Sequence, residues 1–293
     1  MILVSNPIAI VQRVSAIAVA LTVGLGASVC RSAIGSQPEP PPRSSTGFIV
    51  NGDVSLRYLL ERPPGAGPFP AVVIGHGSGE THKEDFPSAG RLLGMGFVVL
   101  RYDKRGVGES TGKYSMVGIA NSEKMFDDLS SDMAAAAAFL RTLPDVDRTR
   151  IGLVGPSQAG WIIPVAAKRS HPAFMILFVG PTVTVGQEIY YSRFSEETTT
   201  PFDALSRILT EYRGPQGFDP RPYLEELTVP GLWLLGAVDR SIPTKECVAI
   251  LDELIAAGKP YRRVVYPAAG HSLNGANFWP DVAAFLSELK ILR

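Results

Sequence analysis

Between Thr46 and the C-terminus, short and mostly unbroken apolar runs alternate with longer stretches whose apolar positions recur every three or four residues. The runs are "PAVVIGHG", "GFVVLRYD", "RIGLVG", "FMILFVG", "GLWLLGAVD" and "YRRVVYP". A strand that is apolar on both faces has no face to give to water, so these runs predict parallel strands covered by helices on both sides. Ahead of them, "GFIVNG" and "VSLRYLLERP" predict an antiparallel pair turning at Asn51-Gly52. Two helices are equally plain. Phe126, Leu129, Met133, Ala136, Ala137 and Leu140 share one face of a segment with Asn121 as its N-cap, and Pro144 stops it. The other starts after Trp279 with Pro280 in its first turn and an apolar stripe of Val282, Phe285, Leu286 and Leu289. The alternation predicts one α/β domain with a mostly parallel central sheet flanked by helices.

Two regions depart from this rhythm. Pro181 to Leu227 is rich in Thr, Glu, Tyr and Pro, and its spacing at Phe202, Leu205, Ile208 and Leu209 predicts at least one short amphipathic helix. An insertion of about 181–227 is expected to form a small cap over the C-terminal edge of the sheet, with a surface excursion as the alternative. At the other end, Val14 to Val29 carries no charge and follows Arg13, which predicts a signal peptide or N-terminal anchor over residues 1–30 and hence export to the periplasm or beyond. An internal helix is the competing reading. Residues 31–46 are a Pro- and Ser-rich linker, and 47–293 the folded domain with its cap. Cys30 stands where a lipoprotein carries its lipid, although Val29 before it fits that pattern poorly.

Composition narrows the function by exclusion. Lys and Arg together number 28, matched by 28 Asp and Glu, so no overall field draws the chain to nucleic acid or to an anionic membrane. Membrane contact would come only through the N-terminal anchor. The second cysteine, Cys247, falls in a predicted helix as a small buried hydrophobe, which implies no disulfide framework. Four scattered histidines offer no metal-ligand spacing. No cofactor is expected either. No G-x-G-x-x-G follows a strand, and "RGVGES" lacks both the G-K-[ST] end and the glycine spacing of a phosphate loop.

In an open α/β sheet, ligands sit beyond the C-terminal ends of the strands, and the candidate residues gather there. Ser157 follows "IGLV", Asp239 follows "LWLLGAV", His271 follows "RVVYPAAG", and His76 with Gly77 follows "AVVIG". Small residues at Gly155, Ala159 and Gly160 suit a sharp strand-to-helix turn that exposes Ser157, with Ala159 where such turns usually have a second glycine. Taken in order, "PAVVIGHGSG", "LRYDKRGVGES", "GLVGPSQAGW", "LLGAVDRSIP" and "AAGHSL" make the chain resemble the α/β-hydrolase superfamily over about Gly47 to Leu289. More narrowly, it resembles bacterial esterases and acyl-hydrolases related to prolyl oligopeptidase-type serine peptidases.

The resemblance implies an α/β-hydrolase fold and a serine hydrolase acting on a small acyl ester. Ser157 would be the nucleophile, His271 the base and Asp239 the acid, with the backbone N–H groups of Ser78 and Gln158 forming the oxyanion hole. A serine peptidase, aminopeptidase or thioesterase would use the same residues, and a silent binding protein could keep the fold. No large N-terminal domain of the kind that sorts peptides is visible, which favours the ester. Bland roles compete at several positions. Asp239 in "D-x-x-I-P" also suits a helix cap. His76 is expected to support the oxyanion loop, and Asp103 with Arg105 to brace a loop as a pair. His82, His171, Trp161, Tyr190 and Tyr191 are core, surface or pocket lining.

Overall fold

Six apolar runs become six parallel strands because each can be sandwiched between helices. They are β3 (Phe69–Ile74), β4 (Val98–Tyr102), β5 (Val146–Pro156), β6 (Phe174–Phe178), β7 (Gly231–Gly236) and β8 (Tyr261–Tyr266). The structure, a computed structural model, describes residues 43–86, 88–197 and 202–292. The expected signal segment, Cys30 and the linker as far as residue 42 lie outside the described residues. With the hairpin β1 (Arg43–Asn51) and β2 (Val54–Arg62), the strands form one eight-stranded sheet in the order β1-β2-β4-β3-β5-β6-β7-β8. The pairs β1–β2 and β2–β4 are antiparallel and every other pair is parallel.

Successive residues of the strands face opposite sides, so each side has its own core. Val73, Leu100, Leu153, Leu177 and Leu235 pack under α2 (Ser122–Thr142), α3 (Ala159–Ser170) and α7 (Thr244–Ala256). Val72, Val99, Val154, Ile176 and Leu234 pack under α1 (Ala89–Gly94) and α8 (Trp279–Glu288). Their burial is essentially complete. At roughly 1.5–3 kcal/mol for each fully buried aliphatic side chain, the two layers supply the main force that fixes strand register.

Local details differ from expectation for identifiable reasons. β1 begins at Arg43, inside the stretch expected to be linker, because its residues complete the ladder with β2. The hairpin turns one residue late. Asn51 stays paired with Val54, its side-chain amide held by Ser131 at 3.0 Å and Asp132 at 2.8 Å, and Gly52 takes the positive φ of 59°. Asn121 is the N-cap residue of α2, yet its side chain does not cap α2. Its Oδ1 accepts from the Gly118 N–H at 2.8 Å, closing the short 3-10 turn that precedes the helix. Leu143, extended before Pro144, ends α2.

The insertion is helical but shorter than expected. It carries α4 (Val185–Glu197) and α5 (Phe202–Glu211), where Leu205 and Leu209 pack on Tyr191. Its two stems are joined by Val185 N–H to Phe218 O at 3.0 Å and Gly186 N–H to Gln216 O at 2.7 Å. The next helix, α6 (Arg221–Glu226), belongs to the main body, because Leu224 is buried in the core under the sheet. Cys247 is fully buried on α7, and burial pushes its thiol up to about 11. No helix among the described residues is long and apolar enough to cross a membrane.

Candidate active site

Where β5 turns into α3, Ser157 has a φ of +52°, a left-handed conformation unusual for a non-glycine residue. Two contacts hold it there. The Ser157 N–H donates to Phe178 O at 2.8 Å, tying the turn to the end of β6. Across the turn, a Cβ on Gly155 would stand 2.5 Å from the Ala159 Cβ, so the tight crossing depends on Gly155 lacking one. Ala159 is buried, and its methyl fills the space that Gly155 and Gly75 leave. The departure from two glycines is therefore accommodated by packing.

The loops after β7 and β8 bring the other two candidates to the serine. His271 Nε2 lies 3.0 Å from Ser157 Oγ, and His271 Nδ1 lies 2.9 Å from Asp239 Oδ2. A carboxylate only accepts, so Nδ1 carries the proton and Nε2 is free to accept from the serine hydroxyl. Asp239 is 1% exposed. Its other oxygen, Oδ1, accepts the N–H groups of Ser241 at 2.8 Å and Ile242 at 2.9 Å. Asp239 does not cap α7, which starts at Thr244 after Pro243 with no side-chain cap bond; Oδ1 instead closes the turn of its own loop while Oδ2 faces His271. From α4, the buried Tyr191 hydroxyl donates to Asp239 O at 2.9 Å.

On the opposite side of Ser157 lies the loop after β3. A Cβ on Gly77 would be 3.9 Å from the Ser157 Cβ, so this loop runs directly alongside the serine. Among the described residues, neither the Ser78 N–H nor the Gln158 N–H meets a protein acceptor. The two are joined through Lys104, a residue for which no role is expected from the sequence. Lys104 Nζ donates to Gly77 O at 2.7 Å, Gly79 O at 2.9 Å and Gln158 Oε1 at 3.1 Å. Lys104 is fully buried, and that burial brings its ammonium down to about 8. A cavity of about 280 Å³ borders the same loop, lined by His76, Glu80, Asp85 and Arg101 among others, but not by Ser157 or His271.

Other expectations sort out around this centre. His76 turns away from the serine, its Nε2–H donating to Tyr102 O at 2.7 Å and its ring standing edge-on to Tyr102. Burial, then the nearby Lys104 charge, lower it to about 3, so it is neutral. Asp103 and Arg105 do not pair. Two residues apart where β4 exits, they diverge, with Asp103 taking Lys83 at 3.3 Å and Arg105 taking Asp132 at 2.7 Å. Burial alone would raise the Asp103 carboxyl, but the Lys83 and Glu109 N–H groups and the Lys83 ammonium outweigh it and lower it. Trp161 is core, its Nε1 donating to Val183 O, while Tyr190 is exposed on α4 and packs against Tyr212. His171 is the left-handed C-cap of α3, and His82 lies half-exposed 3.8 Å from Asp103.

A model of the prolyl oligopeptidase family matches residues 85–288. Among curated proteins, the chain is 27% identical over 274 residues to an uncharacterized protein of Mycobacterium tuberculosis, covering 86% of this chain and 85% of that one. It is 25% identical over 250 residues to the esterase EstD of Thermotoga maritima, covering 74% of this chain and 57% of that esterase. Among solved structures, an esterase of Pyrococcus furiosus matches with a TM-score of 0.63 at 18% identity, covering 85% of this chain and 91% of its own. That likeness establishes the α/β-hydrolase fold.

Proposed function

From the premise that this chain belongs to the prolyl oligopeptidase family of hydrolases, we propose that it cleaves carboxylic esters through an acyl-enzyme formed on Ser157. The observation that carries this reading is the hydrogen-bonded series Ser157–His271–Asp239 on a strained turn. Ser157 Oγ attacks the ester carbonyl carbon while its proton passes to His271 Nε2. The imidazolium that results is stabilised by Asp239. Negative charge on the carbonyl oxygen is received by the Ser78 and Gln158 N–H groups. Collapse expels the alcohol, which takes the proton from His271. Water then repeats the sequence on the acyl group and frees Ser157. The similarity to an esterase favours ester over amide as the bond cut.

A fluorophosphonate probe, followed by peptide mass spectrometry, tests the nucleophile. Labelling is expected on Ser157 alone and is absent in Ser157→Ala. Ester hydrolysis in that variant is expected to fall by about 10⁶-fold. Comparing a p-nitrophenyl ester with the matching anilide tests the bond type. An anilide turned over at a comparable kcat/KM would replace the ester reading with a peptidase. We also propose that the protein acts outside the cytoplasm, carried there by an N-terminal signal peptide or anchor. Fractionation of the native host checks this, and recovery of the protein in the cytoplasmic fraction would refute it.

A further inference from the structure

We propose that Lys104 is the positioning residue of the oxyanion site, joining its two amide arms and setting a buried positive charge behind them. The inference rests on the serine-hydrolase reading above and extends it to a residue outside the triad. Each of the three Lys104 bonds ends on a part of that site. Gly77 C=O and Ser78 N–H belong to the same peptide group. An ammonium 2.7 Å from that carbonyl therefore fixes the plane of the peptide and draws electron density away from its N–H, strengthening it as a donor. The bond to Gly79 O holds the next turn of the same loop, and the bond to Gln158 Oε1 reaches across to the other arm. One side chain thus sets the spacing between two donors, one from the loop after β3 and one from the residue that follows Ser157.

The charge matters as much as the bonds. A buried ammonium ordinarily has a carboxylate partner, since leaving one unpaired is costly. Among the described residues, none lies within ion-pair distance of Lys104 Nζ. The charged and titratable groups around it are otherwise engaged. Asp103, its neighbour in the chain, faces Lys83 and the Lys83 and Glu109 N–H groups. Asp128 on α2, which lines a small cavity beside Lys104 together with Arg105, Lys113 and Tyr114, is taken by Arg105 and Lys124. His76 is neutral, and the Tyr114 ring offers only its face at 5.8 Å. Lys104 is a cation whose complement is missing in the resting protein and arrives as the negative oxygen of the tetrahedral intermediate. An interaction of that kind lowers the barrier without tightening substrate binding.

The test compares wild type, Lys104→Met, Lys104→Arg and Gln158→Leu in steady-state hydrolysis of a p-nitrophenyl ester from pH 6.5 to 9.5, with circular dichroism checking each fold. Lys104→Met is expected to lose about 10- to 100-fold in kcat with KM within about twofold, and to lose affinity for a boronic acid by a similar factor. Lys104→Arg should recover part of kcat, and Gln158→Leu should lose less than Lys104→Met. The kcat of wild type should decline above pH 8 as the ammonium deprotonates, and that decline should vanish in Lys104→Arg. A folded Lys104→Met variant with kcat within threefold of wild type overturns the proposal. So does an effect confined to KM. If Lys104→Met fails to fold, the wild-type profile decides, and a flat kcat across pH 8 overturns it. Wild type that takes no fluorophosphonate label on Ser157 removes the hydrolase reading and this proposal together, whereas a labelled wild type with an indifferent Lys104 removes this proposal alone.

Discussion

On the β7–β8 flank of Ser157 the buried charge is negative and fully answered. Asp239 meets two backbone N–H groups from its own loop and the imidazole of His271. On the β3–β4 flank the buried charge is positive and answered only by neutral oxygens, two from the loop after β3 and one from Gln158 beyond the serine. The backbone half of the first arrangement is local in sequence, since Asp239, Ser241 and Ile242 lie within four residues. The second is assembled from three separate segments. The difference follows the order of the chemistry. In the proposed reaction a proton moves onto His271 beside an anion already in place, while negative charge grows in front of a cation waiting for it. On that proposal each flank is charged in advance with the sign opposite to what the reaction would place there.

The largest expected effect comes from silencing the negative flank while leaving its shape. Asp239→Asn keeps Oδ1 as an acceptor for Ser241 and Ile242 but presents an uncharged amide to His271. Its kcat is expected to fall by roughly 10⁴-fold with little change in thermal midpoint. A comparable loss of stability would mean that the carboxylate's role is mainly to close the turn of its own loop. The turn between the flanks gives the next effect. Gly155→Ala places a methyl against Ala159 and should cost about 1–3 kcal/mol in denaturant unfolding, with much of this recovered in the double variant Gly155→Ala, Ala159→Gly. Failure of that rescue would put the strain elsewhere in the turn.

The smallest effect separates the positive flank by pH. Burial holds Lys104 at about 8, below its ordinary value of 10.5, so the unfolded chain binds the proton more tightly than the folded one. Stability contributed by this group therefore rises with pH between those values and is least below pH 8. Wild type should gain about 1–2 kcal/mol relative to Lys104→Met between pH 8 and 9.5, measured by urea unfolding. Stability would then increase over the range in which kcat declines. A gain in the opposite direction would show that Lys104 has an anionic partner in solution.

The strands were legible because continuous apolar runs such as "AVVI" and "LWLL" admit few other environments. Ser157, Asp239 and His271 were legible because each follows such a run at the end where loops gather, and the structure places them within hydrogen-bond reach. Lys104 was not. A lysine leaving a strand ordinarily extends into water, and its burial here is imposed by carbonyl oxygens from residues 77 and 79 and the side chain of residue 158. Asp103 and Arg105 misled for the converse reason, since opposite charges two apart suggest a pair until the backbone turns them towards Lys83 and Asp132. The end of the cap was hidden because the pattern around Leu224 marks an apolar face without saying which core receives it.

The stems of the insertion meet at Gly186 and Gln216, so the chain enters and leaves the excursion at almost one point. A segment with such ends is a cassette. Another pair of helices, longer or differently lined, could be exchanged between those two hydrogen bonds without moving a strand, the Ser157 turn or either charged flank. The exchange has boundary conditions, since α4 also steadies the loop after β7 through Tyr191 on the Asp239 carbonyl and through Ser195 on Arg240. A replacement that keeps those contacts would leave the Ser157–His271–Asp239 series where it is.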